Sequence, residues 1–374
     1  MANSIFREEG DLKIQPNIKV IGVGGGGGNA LGNMIKKGLQ GVEFIAANTD
    51  YKILSLNLAS TKIHLGKNLT KGLGAGGDPE IGRQSALESE REIRECLANA
   101  DMVFIAAGMG GGTGTGASPV IARICKEMEI LTVAVVTKPF TFEGRFRMKV
   151  AEEGLEELKK YVDTMIVIPN DRLITLGAPQ EKLFEMFKKA DDVLYYAVKG
   201  ISDLILSPGY INLDFADVKM VMGESGGLAL MGMGEAHGEE RAEIATQMAI
   251  SSPLLEDLSI SGAKGLILNI TVSPETFTIQ ETQIITSTIS KELHPDAKVF
   301  WGIVFDESLG DLLRITVIAT GLKEDKKVPT SEKEGLIYLD ESLKRKEERR
   351  KKFSLDFITE DLLEIPTFLR RSAD

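Results

Sequence analysis

The chain has 374 residues, 43% of them hydrophobic and 26% charged, with a net charge of −11. That balance predicts a globular protein with a sizeable core and two or three domains, and the acidic excess argues against nucleic acid as a partner. No apolar run approaches the roughly 20 residues of a membrane span, Met1 to Asp11 carries no signal-peptide pattern, and Cys96 and Cys125 belong to no metal-type cluster. A reducing cytoplasm is expected.

Residues 1–15 are expected to be a flexible tail. Ile18–Val23 has the pattern of a buried strand and runs into Gly24–Gly28 and Asn29, after which a helix is expected from Ala30 to Lys37. Val42–Ala47 is a second strand, ending at Asn48-Thr-Asp50, and Lys62–Leu65 a short third. A second glycine-rich loop, Gly72-Leu-Gly-Ala-Gly-Gly-Asp-Pro79, precedes a polar helix expected over Gln84–Ala98. Asp101–Ala107 and Ile130–Val136 are buried strands, Arg147–Tyr161 an amphipathic helix and Thr164–Ile168 a further strand. Strands alternating with helices imply an α/β fold with a mostly parallel sheet covered on both faces. The apolar spacing over 180–206 predicts one long helix, and strands and helices over 212–321 a second, smaller α/β domain. Within it, Gly226–His237 is rich in Gly and Met and carries no clear assignment. Residues 322–355 read as a charged linker, ending in the run Lys344–Lys352, and 356–374 as an apolar terminal peptide. That peptide reads either as a docking motif or as a segment folding back on its own body.

The most informative stretch is Gly108-Met-Gly-Gly-Gly-Thr-Gly-Thr-Gly-Ala-Ser-Pro119, between a strand and a helix whose first turn is expected at Pro119. At a helix N-terminus, free N–H groups and the dipole favour an anion, and glycine lets the backbone approach phosphate oxygens. Thr113 and Thr115 add hydroxyl donors. The stretch reads as a phosphate cradle, but it is not a P-loop, because no lysine follows the glycines. A competing reading starts from Gly22-x-Gly24-x-x-Gly27, which fits a dinucleotide fingerprint with Asp50 on the ribose. A nicotinamide-dependent oxidoreductase would leave the cradle unexplained. It would also lack an evident acid or base, since His64, His237 and His294 fall in no glycine loop.

Three stretches converge on one family. Gly110-Gly-Gly-Thr-Gly-Thr-Gly116 resembles the signature of the tubulin/FtsZ GTPases. Asn212-Leu-Asp-Phe-Ala-Asp-Val218 and the end, Ile365-Pro-Thr-Phe-Leu-Arg-Arg-Ser-Ala-Asp374, resemble its FtsZ branch. The resemblance implies a GTP/GDP site formed by Gly25, Gly26, Gly27, Gly28 and Asn29, by Ala75, Gly76 and Gly77 beside the γ-phosphate, and by Gly112, Thr113 and Gly114 in the cradle. It implies Glu143 and Arg147 on the ribose side and Asn170, Phe187 and Asp191 or Asp192 on the base side. Phe187 reads equally as part of the long helix's core face.

The resemblance further implies that Asp214 and Asp217, supported by Asn212, enter the nucleotide site of the next subunit and orient the attacking water. Asp214 also reads as a simple helix cap. Mg2+ would bridge the phosphates, with no protein side chain assigned to it. The implied protein is a polymerising GTPase of the bacterial division ring, acting at mid-cell beneath the membrane. Its implied partners are its own copies, and membrane-adaptor and division-regulator proteins bound through residues 360–374, so that membrane contact is indirect. A filament GTPase that shapes cells without dividing them is the alternative within the superfamily.

Overall fold

The computed structural model describes residues 15–175, 182–206, 213–224, 227–255 and 260–321. All lie in the first of two units, Met1–Lys323; the second, Glu324–Asp374, lies outside the described residues. So do the expected tail up to residue 14, the linker, the terminal peptide and Asn212.

In chain order the elements are β1 (Ile18–Val23), α1 (Gly24–Lys36), β2 (Val42–Asn48), α2 (Tyr51–Leu56), β3 (Thr61–His64), α3 (Lys67–Thr70), α4 (Pro79–Glu88), α5 (Glu90–Leu97) and β4 (Met102–Gly108). Next come α6 (Thr113–Glu127), β5 (Leu131–Lys138), α7 (Arg145–Lys159), β6 (Thr164–Pro169), α8 (Asn170–Thr175), α9 (Leu183–Leu206) and α10 (Phe215–Glu224). The remainder is β7 (Gly227–Ala236), α11 (Arg241–Ile250), β8 (Gly265–Val272), α12 (Ile279–Glu292), β9 (Lys298–Phe305) and β10 (Leu313–Thr320).

The strands form one ten-stranded sheet in the order β3-β2-β1-β4-β5-β6-β7-β10-β8-β9. Pairing is parallel from β3 through β7. β10 runs antiparallel to both its neighbours, and β8 and β9 are parallel. The two-residue strand period sorts the core into faces. Ile18, Val20, Phe104, Val133 and Val135 pack with Ala30, Leu31 and Met34 of α1 and the apolar stripe of α9. Ile21, Val23, Ile105, Ala107, Ala134 and Val136 pack with α5, α6 and α7 on the other face. Among the described residues no helix is long and apolar enough to cross a membrane.

Several local expectations are corrected. The helix expected from Ala30 begins at Gly24, so the glycine run opens the helix and is not a loop. Glycine disfavours helix by about 1 kcal/mol per residue, but tertiary contact outweighs propensity here. A Cβ on Gly27 would run into the Ala106 carbonyl, so these glycines let α1 lie directly on β4. Likewise α6 starts at Thr113, and Pro119, expected in the first turn, lies inside the helix. The expected polar helix Gln84–Ala98 is two helices joined at Ser89, the first starting at Pro79 behind the Asp78 cap. The unassigned Gly/Met stretch is strand β7, its glycines covered by α11: a Cβ on Gly232 or Gly234 would run into the Ala249 or Ala245 carbonyl.

Candidate functional site

The sheet order places β1 between β2 and β4, so successive crossovers leave it in opposite directions. Such a switch point opens a crevice at the carboxyl ends of the strands. α1 leaves β1 there and α6 follows β4. Both helices start bare. Their cap residues, Val23 and Gly112, give no side-chain hydrogen bond, and neither first turn carries an acid. By contrast, the side chains of Asp50, Asp78 and Thr278 cap α2, α4 and α12. The free N–H groups of α1 and α6 are therefore open to an anion. Gly24, at φ 72°, sits where the two starts meet, and a Cβ on it would come 2.8 Å from the Gly114 nitrogen. Only glycine fits that backbone and that gap.

A cleft of about 340 Å³ opens over these termini. Of the expected residues, Gly25, Gly26, Asn29, Gly112, Thr113, Gly114, Glu143, Arg147, Asn170, Phe187 and Asp191 line it. Gly27 and Gly28 sit on the packed side of α1, and the Gly28 carbonyl accepts from Asn57. Ala75 reaches the cradle from behind, 2.8 Å from where a Cβ on Gly112 would stand, while Gly76 and Gly77 turn in open space. Asp191 and Asp192 face different ways: Asp192 accepts from Asn33 at 2.8 Å and pairs with Lys37 at 2.6 Å, outside the cleft. The two threonines also part. Thr113 lines the cleft with its hydroxyl 2.6 Å from that of Thr49, whereas Thr115 turns inward and accepts the Gly110 N–H, so its expected role as a cleft donor is withdrawn. Asp50, the ribose ligand of the dinucleotide reading, instead caps α2 by accepting from the Ile53 N–H at 3.1 Å.

Sequence reasoning did not single out Thr137, Pro139, Ala190 and Leu194, which also line the cleft. Thr137 and Pro139 follow from the strand-end rule applied to β5. Ala190 and Leu194 share a helical stripe with Phe187 and Asp191 at the i, i+3, i+4, i+7 spacing.

Two of the lining residues, Asn170 and Asp191, bring acceptors to the cleft. Asn170 is only 5% exposed, and its Oδ1 has no hydrogen-bond partner. Burial, and then the charge of Asp192, raise the Asp191 carboxyl to about 7. Phe187 meets Phe140 edge-on at 5.3 Å and keeps 41% of its surface exposed, more than a core position would. An unsatisfied acceptor and a carboxylate lining one cleft suit a ligand that brings hydrogen-bond donors. The N1–H and 2-amino group of guanine supply them, whereas adenine presents a ring-nitrogen acceptor at the corresponding place. Arg147 is the one cation among the described residues lining the cleft, and it is paired with Glu143 at 2.6 Å. No group of three His, Cys, Asp or Glu that could hold a metal occurs among the described residues.

Asp214 and Asp217 are elsewhere. The C-terminal end of α9 packs at Gly41, just before β2, and the Leu206 carbonyl accepts from Gln15, ahead of β1. α10 lies under the start of β6, where Thr164 donates to the Met222 carbonyl at 2.5 Å. Both acids therefore sit at the amino ends of the parallel strands, opposite the cleft. The stretch of α9 from Asp191 to Leu206 alone spans about 22 Å at roughly 1.5 Å per residue. The Asp214 carbonyl accepts the Asp217 and Val218 N–H groups that open α10, and no other described residue engages either carboxylate.

The family model described as the GTPase domain of the Tubulin/FtsZ family matches residues 17–178, and that of the FtsZ family C-terminal domain matches 227–323. The chain is 54% identical to the cell division protein FtsZ of Pseudomonas aeruginosa, over 82% of this chain and 77% of that one. It is 47% identical to the FtsZ of Buchnera aphidicola, over 98% and 100% of the two chains. A solved FtsZ dimer from M. jannaschii superposes with a TM-score of 0.79 at 46% identity, covering 83% of this chain and 89% of the other. The CetZ2 protein of Haloferax volcanii, at 21% identity and a TM-score of 0.70, shares the fold. With this much sequence in common over both of its matched segments, the chain belongs to the FtsZ branch of the tubulin/FtsZ family and is a GTP-binding, GTP-hydrolysing cytoskeletal protein of cell division.

Proposed function

We propose that this chain assembles head to tail and hydrolyses GTP at a site completed only between subunits. The observation that carries the reading is the separation within one chain of the nucleotide cleft from Asp214 and Asp217. The cradle is backbone amides and the Thr113 hydroxyl, and the cleft's carboxylates are Glu143, held by Arg147 and the Phe140 N–H, and Asp191 on α9, so the cradle itself carries no acid to orient water. A second copy stacked on the carboxyl ends of the strands would bring its α10 acids over the γ-phosphate. Such a contact is heterologous, and it propagates as an open filament when its rotation does not close. The relative from M. jannaschii, solved as a dimer, supports self-association.

In this reading Gly25, Gly26, Asn29 and Gly112–Gly114 hold the phosphates, with Gly27 and Gly28 seating α1 behind them and Ala75, Gly76 and Gly77 beside the γ-phosphate. Glu143 and Arg147 take the ribose side, and Asn170, Phe187 and Asp191 the base; Asp192 serves by holding α1 to α9 through Asn33 and Lys37. Asp217 and Asp214 orient the water, supported by Asn212. The acid-free, amide-built cradle suits a Mg2+ carried on the phosphates themselves, which would spread the charge that develops in transfer. Residues 16–179 form the GTP-binding domain, 180–211 the central helix and connection, and 212–321 the activating domain, a division close to the spans of the two family models. By the same resemblance, residues 360–374 bind membrane adaptors and division regulators at mid-cell in the cytoplasm.

The test is GTP turnover per subunit, with Mg2+, across a range of protein concentrations. Turnover that appears only above a threshold is expected. A rate per subunit that is flat with concentration would mean a self-contained site and would remove Asp214 and Asp217 from the chemistry.

A further inference from the structure

The pairing of β5 with β6 ends at Lys138 and Pro169, and the chain beyond each carries residues that line the cleft. One arm carries the turn Thr141–Glu143 and then Arg147; the other carries Asn170 and α8. No backbone ladder joins them past that pair, but one side chain does. The Asp171 carboxylate accepts from the Thr141 N–H at 2.9 Å and from the Thr141 hydroxyl at 2.5 Å. The turn so anchored is closed on itself, because Glu143 accepts from the Phe140 N–H at 3.0 Å and from Arg147 at 2.6 Å. Phe140, wholly buried, stacks on Phe142 at 4.8 Å and meets Phe187. A continuous chain of contacts thus runs from Asp171 through Thr141 to Glu143 and Arg147. Asp171 itself does not line the cleft.

We propose that Asp171 is a positioning residue that sets nucleotide affinity by clamping the Glu143–Arg147 turn to the Asn170 side of the cleft. A bidentate carboxylate holds an N–H and an O–H in one geometry, so the turn is ordered before nucleotide arrives and less ordering is left to binding. Asp171 should therefore act on GDP and GTP alike, and not on the hydrolytic step once nucleotide is bound. The inference rests on the cleft being the guanine-nucleotide site.

The experiment measures the GDP dissociation constant of the full-length chain, which needs no assembly, together with turnover at saturating GTP and the Tm of nucleotide-free protein. Asp171→Ala is expected to weaken GDP binding by about tenfold, the scale of losing a charge-assisted hydrogen bond, with saturated turnover and Tm held. Asp171→Asn should restore most of the affinity, since its oxygen can accept the Thr141 N–H and its amide can donate to the hydroxyl. Thr141→Val, which removes only the hydroxyl contact, should fall between the two. Unchanged GDP affinity in both Asp171→Ala and Thr141→Val overturns the clamp. So does a loss of affinity that Asp171→Asn fails to rescue and that tracks a loss of Tm. Wild-type protein that binds no GDP overturns the reading of the cleft itself; wild-type binding that Glu143→Ala weakens and Asp171→Ala leaves intact removes only the clamp.

Discussion

The two poles of the parallel sheet are built from different material. At the carboxyl ends of the strands the cleft is mostly backbone: two uncapped helix starts, glycines at van der Waals limits, and a few acceptors fixed by burial. At the amino ends two carboxylates stand on the first turn of α10 and its approach, with no described residue engaging them. The first pole is held in place by its own core. The second has what a reacting group needs, accessible charge, and lacks anything of its own chain to act on. Binding and chemistry can therefore be broken separately, and the sharpest tests do so.

The largest effect is expected at the acid pole. Asp217→Ala should lower GTP turnover by about 10²–10⁴-fold, the range for a group that activates water, while GDP affinity stays at the wild-type value. Normal turnover in that variant would put the chemistry back at the cleft.

The next contrast lies inside the glycine run. Gly27→Ala places a methyl against the Ala106 carbonyl, and overpacking of that kind costs about 1–3 kcal/mol of stability. Gly25→Ala meets open space at the cleft surface and gains helix propensity, so it should hold or slightly raise the Tm while weakening nucleotide binding. Thermal melts and GDP titrations of the two variants should sort in opposite ways. Equal loss of Tm in both would mean that the run serves packing only.

The smallest effect is a pH dependence. The Asp191 carboxyl titrates near 7 in the nucleotide-free fold. Guanine donors require the ionised form, so below pH 7 binding must first expel a proton. GDP affinity should then fall by about tenfold per pH unit below 7 and level off above it. Asp191→Asn should bind weakly with no slope. For the free fold the sign reverses. A carboxyl raised above its ordinary 3.8 takes up its proton sooner folded than unfolded, so this group adds stability as pH falls from about 7 towards 4. Affinity that is flat between pH 6 and 8 would place another group at the guanine edge.

The cradle was legible because it is written in consecutive residues. A run such as Gly110–Gly116 between an apolar strand and a helix has few other uses, and its bare backbone N–H groups are there wherever the chain goes next. The alternation of strands and helices, and the two-faced apolar pattern of β1, β4 and β5, follow from periodicity in the same way. What periodicity could not supply was the helical state of Gly24–Gly28 or the strand Gly227–Ala236. In both, glycine argues locally against the element, and a neighbour (β4 in one case, α11 in the other) settles it by packing too closely for any side chain.

The choice between Asp191 and Asp192 was equally closed to the sequence, where the two are adjacent and identical. One turns into the cleft and is partly buried there; the other meets Asn33 and Lys37 of α1. The amino-acid sequence by itself determined the α/β class, the order of its parts and the glycine-rich backbone of the cradle, because those rest on local periodicity and on backbone freedom. Only the tertiary structure decided which acid and which threonine line the cleft, and that Asp214 and Asp217 stand at the far end of the sheet from it. Those are matters of burial and distance, which depend on what each residue packs against.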